Sequence, residues 1–260
     1  MDCIFDSHAH YDDHAFDSDR PELLRRLPDE GIVGVINCAS DIPSAKACIA
    51  LSQQYQYIYA AVGVHPHECK SAGTYQESLL TSLLKQDKVV AVGEIGLDYH
   101  YDFSPRSLQI EWFDRQLALA VQLDLPVIVH DREAHADTLS LLQKHRPKGV
   151  VHCFSGSVEM AREIVDLGMY IGLGGAVTFK NAVRPLAVAQ AIPLDRLLLE
   201  TDAPYMAPVP LRGKRCDSSM IKFTAEKIAQ LRGTTSAEIY RAGYENACRL
   251  FGIHMEEPDT

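Results

Sequence analysis

The chain has 260 residues, 47% hydrophobic and 23% charged, enough for one large α/β barrel or two small domains around a sizeable core. Its 25 basic and 35 acidic side chains sum to −10, which argues against sequence-blind coating of nucleic acid or of an anionic membrane, although metal cations can reverse the charge of one small phosphate site. Seven cysteines with no C-x-x-C pair, no basic-then-apolar leader after Met1 and no apolar run of ~20 residues give the expectation of a reduced, soluble, cytoplasmic chain that does not enter a membrane.

Apolar runs ending in a polar side chain recur along the sequence. Cys3-Ile4-Phe5 runs into Asp6-Ser7-His8-Ala9-His10. Ile32 to Asn37 predicts a second strand, and Tyr57 to Val64 a third that ends in His65-Pro66-His67. Val89-Val90-Ala91-Val92 delivers Glu94 between Gly93 and Ile95-Gly96. Pro126 to Val129 leads to His130-Asp131-Arg132, and Gly149-Val150-Val151 to His152. Met169 to Leu173 enters a Gly174-Gly175 turn, and Arg196 to Leu199 ends in Glu200-Thr201-Asp202. Such unbroken apolar runs are what parallel strands covered on both faces look like.

The intervals read as crossover helices. After Ser104 as a cap and Pro105 at the first helical position, Ile110, Phe113, Leu117 and Val121 share one face. Ala161, Ile164, Val165 and Leu167 are helical in period, with Gly168 as the stop. Pro28 and Pro185 each shorten or kink a helix, and Ser236 to Gly252 is a last amphipathic one, packing through Ile239, Ala242, Ala247, Leu250 and Phe251. Eight strand–helix alternations in about 260 residues predict an α/β (β/α)8 TIM barrel, a single domain over 1–260. An open doubly wound sheet is the competing architecture, but the glycine-rich dinucleotide fingerprint is missing after the first strand.

Of eleven histidines, His8, His10, His65, His67, His130 and His152 fall at predicted strand ends, which converge on one face of such a barrel. His8 and His10, two residues apart, point the same way. With Glu94 and Asp202 they make a nitrogen and oxygen donor set large enough for two divalent ions. One would take His8, His10, Asp202 and one Glu94 oxygen, the other the second Glu94 oxygen with His130 and His152. Paired ions of this kind activate water, for which Asp202 is the general base and Glu94 the shared catalytic carboxylate. The donors suit Zn, Mn, Fe or Co, with Mg favouring the oxygen-rich side. His14, His100, His135, His145 and His254 read as surface residues.

The stretches Asp6-Ser7-His8-Ala9-His10, Gly63-Val64-His65-Pro66-His67, Gly93 to Tyr99, His152 to Gly156 and Glu200 to Tyr205 resemble, in order, the signatures of the TatD family. These are metal-dependent hydrolases within the amidohydrolase-type barrels. The resemblance implies a metal site at His8, His10, Glu94, His130, His152 and Asp202, and deoxyribonuclease action on DNA, 3'-5' exonuclease-like at single-stranded ends. After Arg212-Gly213-Lys214 the family commonly has one residue and then Asn-Glu-Pro, whereas here Arg215 precedes Cys216-Asp217-Ser218. His65, His67, Arg132, Arg212 and Lys214 are the candidate phosphate contacts, and Tyr205 and Phe154 read equally as stacking surfaces for a base or as packing residues. A small amide, ester or lactone is the alternative substrate for the same metals (Mg, Mn or Zn), and a non-catalytic barrel a third reading. No G-x-S-x-G elbow is present, which disfavours a serine hydrolase.

Overall fold

A computed structural model describes residues 3–72 and 74–254, with 74–77 as backbone alone. The single-domain expectation also spans residues 1–2, 73 and 255–260, which lie outside the described residues. Eight parallel strands follow one another in chain order within one sheet: β1 Ile4–Ala9, β2 Ile32–Cys38, β3 Ile58–Val62, β4 Val89–Asp98, β5 Val127–Arg132, β6 Gly149–Val151, β7 Tyr170–Leu173 and β8 Leu197–Leu199. Around them run α1 Arg20–Arg26, α2 Ile42–Gln54, α3 Thr74–Leu83, α4 Arg106–Leu123, α5 His135–His145, α6 Val158–Asp166, α7 Val183–Ala191, α8 Ile221–Arg232 and α9 Ser236–Phe251. This is the (β/α)8 barrel. Among the described residues no helix is long and apolar enough to cross a membrane.

Side-chain alternation sorts the strands into two apolar layers. Phe5, Ile36, Ala61, Ala91, Ile128, Val150, Tyr170 and Leu198, one from each strand, form the interior cluster with Phe251 of α9, whose ring lies 6.5 Å from that of Phe5. Their neighbours, such as Ile4, Val35, Val127, Val129 and Leu197, belong to the larger cluster beneath the helices. Two residues further along the interior face come His130 after Ile128, His152 after Val150 and Glu200 after Leu198. The polar layer at the mouth therefore rests on an apolar floor.

Helix α4 differs from its sequence reading in an instructive way. Its buried stripe is Gln109, Trp112, Phe113, Gln116, Leu117 and Ala120, while Val121 is half exposed and Ile110 only partly covered. The two glutamines are clamps. Gln109 accepts from the Asp98 amide (2.8 Å) and donates to the Asp98 and Ser104 carbonyls, and Gln116 accepts from and donates to the Val64 backbone. Ser104 does not cap the helix. Its hydroxyl donates to the His67 carbonyl (2.7 Å) and accepts from the Lys70 amide. At Gly96, φ is +143° and a Cβ would stand 2.0 Å from the His130 carbonyl oxygen, so only glycine lets β4 approach β5 here.

Ladder pairing runs from β1 to β8, and the seam between β8 and β1 is closed differently. A single bridge joins Ala9 to Ala203, with the Asp202 amide donating to the His8 carbonyl at 2.9 Å and the His10 amide to the Ala203 carbonyl at 2.7 Å. Asp6 completes it. Its Oδ1 accepts from the His8 and Thr201 amides and its Oδ2 from the Thr201 and Ser218 hydroxyls, at 2.6–3.2 Å. The seam thus holds Asp202 beside His8 and His10.

Burial pushes the Asp6 carboxyl up to about 6, against the bonds that favour its ionised form. A raised acid favours the folded state most at low pH and loses that contribution as pH rises through about 6. Relative to wild type, Asp6→Asn should therefore gain about 1–2 kcal/mol of stability between pH 5 and pH 7.5, read by denaturant unfolding. A difference that does not change with pH would show that Asp6 is not held this way.

Candidate active site

Glu94 is buried at the barrel mouth, and its two oxygens face different groups of imidazoles. Oε2 lies 3.2 Å from His8 Nε2 and 3.5 Å from His10 Nε2. Oε1 lies 2.7 Å from His152 Nε2, 2.8 Å from His130 Nδ1 and 3.5 Å from His65 Nε2. Asp202 Oδ1 joins the first group, 3.4 Å from His10 Nε2 and 3.7 Å from His8 Nε2. All six residues read from the sequence as ligands are in one cluster, and His65 stands in it as well.

The ring nitrogens on the far side are already engaged. His10 Nδ1 is 2.8 Å from the Cys38 carbonyl, to which it can only donate, so a neutral His10 presents Nε2 as a bare lone pair. His130 Nε2 donates to Asp98 Oδ2 at 3.0 Å, leaving Nδ1 bare toward Glu94. Bare lone pairs facing an ionised carboxylate repel it unless a cation stands between them. Protons can fill that role: burial disfavours the charged rings, but the bonds that His10 donates to Asp202 and His130 to Asp98, with Glu94 adding to both, raise them to about 10 and about 9. Burial holds His8 and His65 down, each to about 4. It pushes Glu94 up, but His152, His65, His8 and His130 outweigh it and keep that carboxyl well below its ordinary range.

Divalent ions are the other cation that fits. Three donor triads, His8/His10/Glu94, His8/His152/Asp202 and His65/Glu94/His130, each offer ligand atoms within 4.8 Å of one another. Mixed imidazole and carboxylate donors suit Zn, Mn and related ions.

Two carboxylates behind this cluster were not picked out from the sequence. Asp98, fully buried, takes His67 Nε2 and His130 Nε2 on Oδ2, both at 3.0 Å, and the His100 and Tyr101 amides on Oδ1. Burial works against its ionised form, but the bonds from His130, Tyr101 and His67 hold the carboxyl well below the usual range. Glu200 accepts from the Cys153 amide and lies 3.8 Å from His152 Nδ1. Among the described residues neither that nitrogen nor Glu200 Oε2 has a hydrogen-bond partner, and burial raises the Glu200 carboxyl to about 8. The signal was available: Asp98 is in phase with Glu94 along β4, and Glu200 with Leu198.

A cavity of about 780 Å³ opens over the cluster, lined among others by His67, Tyr101, Arg132 and Tyr205. Arg212 and Lys214 are not among its lining residues. The loop after β8 carries them aside, and the Arg212 guanidinium lies 3.8 Å over the Phe179 ring. Arg215 is committed to Asp19 at 2.6–2.7 Å. Phe154, read either as a stacking or as a packing residue, is a packing residue of the core. His135 and His145, read as surface residues, are half-buried on Asp131 and Asp114. A slightly larger groove of about 840 Å³, bordered by Phe223, Glu226 and Thr235, contains no histidine and a single carboxylate, so the chemistry belongs to the mouth.

The family model described as TatD related DNase matches residues 5–252. The chain belongs to that family. A TatD-family relative in Bacillus subtilis (strain 168), named uncharacterized metal-dependent hydrolase YabD, is 41% identical over 254 residues, 96% of this chain and 100% of its own. A Cronobacter sakazakii protein named 3'-5' ssDNA/RNA exonuclease TatD is 34% identical over 256 residues, covering 95% of this chain and 97% of its own. The solved structure of the Escherichia coli K12 TatD homologue YJJV has a TM-score of 0.92 at 35% identity, over 98% of this chain and 100% of that one. This TatD-family chain is a metal-dependent hydrolase.

Because His10 and His130 keep their protons to well above neutrality, an ion that enters must displace them, and its affinity should climb as pH rises from 6 to 8. Calorimetry in buffers of different ionisation enthalpy should show net proton release. Asp98→Ala, which frees His130 to turn, should weaken metal binding about 10–100-fold while Asp98→Asn retains more of it. Equal affinities for the two variants and wild type would remove Asp98 from this role.

Proposed function

We propose that the chain hydrolyses phosphodiester bonds of DNA, releasing nucleotides from single-stranded ends. The observation that carries this is the single buried carboxylate, Glu94, with one oxygen toward His8 and His10 and the other toward His130, His152 and His65. These two groups of donors on either side of one carboxylate would suit two divalent ions, which would supply the chemistry for an in-line displacement at phosphorus. The relative named as a 3'-5' ssDNA/RNA exonuclease supports the choice of bond.

His8, His10, Asp202 and Glu94 Oε2 would hold one ion, and Glu94 Oε1, His130, His152 and His65 the other. Divalent Mg, Mn or Zn there supplies Lewis acidity toward the phosphoryl oxygens and lowers the pKa of water toward neutrality. Asp202 takes the proton of the attacking water. Burial raises its carboxyl, but the His10 contact and the nearby imidazoles outweigh this and keep it ionised at neutral pH, and its side chain is 20% exposed, within reach of the cavity. Asp98 fixes His130 and His67 by bonds to their Nε2 atoms. Arg132 lines the cavity with its guanidinium over the Tyr101 ring, and would offer a fork-shaped donor to phosphate oxygens. With Arg212 and Lys214 outside the cavity lining, the phosphate contacts proposed here are Arg132, His65 and His67.

End-labelled single-stranded and duplex DNA and RNA, incubated with Mg, Mn or Zn, should yield mononucleotides from the single strands. Asp202→Asn should lower kcat about 10²–10⁴-fold, and Glu94→Ala should abolish metal uptake as well as turnover. Wild-type rates in either variant would refute the assignment. Turnover confined to amide, ester or lactone substrates in a parallel panel would shift the bond and keep the site.

A further inference from the structure

Large aromatic side chains left exposed among the described residues are three: Phe103 at 63%, Tyr205 at 54% and Tyr101 at 47%. All stand at the active-site mouth. Tyr205 and Tyr101 line the cavity, and the Phe103 ring stacks on that of Tyr101, centroids 5.3 Å apart and planes within 22°. On Tyr101 also lies the Arg132 guanidinium, 4.8 Å from the ring centroid, and the His67 ring meets Phe103 edge-on at 4.8 Å. The pair is held from below, since the Tyr101 amide donates to Asp98 Oδ1, the carboxylate that also fixes His130.

An aromatic pair kept in the open on a loop wastes apolar surface that folding would otherwise bury. Its other surroundings select what covers it. A guanidinium sits beside it, and the donor cluster lies at the base of the same cavity. An anionic group attached to a flat, polarisable ring matches both features, and an aliphatic or acyl substrate matches neither.

We propose that Phe103 and Tyr101 form a seat for one nucleobase of the substrate strand, with Arg132 on a phosphate of the same strand. This rests on the phosphodiesterase reading above and deepens it. A base in a duplex already has both faces stacked on its neighbours, so the seat selects unpaired strands and tolerates any base.

The test compares two single-stranded oligonucleotides, one with ordinary terminal nucleotides and one with tetrahydrofuran abasic residues at its three terminal positions. For Phe103→Ala, KM for the ordinary strand should rise about ten-fold with kcat within about two-fold, and the abasic strand should be handled as by wild type. Phe103→Trp should keep the wild-type KM, and wild type should prefer the ordinary strand. If wild type cleaves both strands alike, or Phe103→Ala affects both alike or neither, the seat is overturned while phosphodiester hydrolysis stands. If wild type cleaves neither strand with any of Mg, Mn and Zn, the phosphodiesterase reading falls and the seat with it.

Discussion

The Glu94 carboxylate is taken out of water and set among five imidazoles, and the mouth of the barrel is built around the electrostatic cost of doing so. An ionised carboxylate buried alone would take up a proton or draw in water. Here His8, His10, His65, His130 and His152 stand within 3.5 Å of it. Neutral, their facing lone pairs would add to the repulsion. The cluster is consistent only with positive charge inside it, whether as protons on His10 and His130 or as divalent ions. Demand for a cation is therefore a property of the side-chain arrangement itself.

Holding five imidazoles against such forces requires anchors beyond the ligands. Three carboxylates and two glutamines provide them, each tying a strand end to something that does not move with the ligand. Asp6 pins the β1–β8 seam through Thr201 and Ser218, and so sets Asp202 against His8. Asp98 joins His130 to His67, and Gln109 holds the backbone at Asp98 in turn. Gln116 fixes Val64 immediately before His65. Glu200 takes the Cys153 amide, tying the end of β8 to the residue just past His152. The apolar layer one step below carries the packing, so the polar layer can be specialised without emptying the core.

The barrel and the gathering of these imidazoles and carboxylates at its mouth were legible because they obey simple periods. Apolar strands recurred at crossover spacing, and each ended on the residue that the interior face delivers to the mouth. Applied further, the same alternation would have found Asp98 and Glu200. What could not be read was partnership. A buried Gln109 or Gln116 looks like a solvent-facing residue until the backbone it bonds is known, so Val121 was assigned to the face that the glutamines occupy. Arg212 and Lys214 looked like phosphate contacts because their charge is visible in the sequence, whereas the course of the loop after β8 is set by contacts far apart in the chain. Phe154 and Tyr205 could not be told apart as stacking or packing residues for the same reason: exposure of a side chain beside a strand end depends on which way the following turn folds.

On the phosphodiesterase reading proposed above, an acidic chain would meet a polyanion, and its charge must be rearranged at one place. Net charge is −10, and Asp12, Asp13, Asp41 and Glu68 stand on the cavity wall around Glu94, Asp98 and Asp202, against Arg132 as its single guanidinium. Without ions this mouth repels phosphate, and each divalent ion adds two positive charges where the local field is most negative. On that reading ion loading supplies the chemistry and offsets most of the negative charge that an approaching strand meets. Long-range attraction remains weak, because the net charge is −10 and screening confines the field of the ions to about 8–10 Å. Recognition must then come from contact at the mouth itself, which is where the exposed aromatic rings and the guanidinium are found.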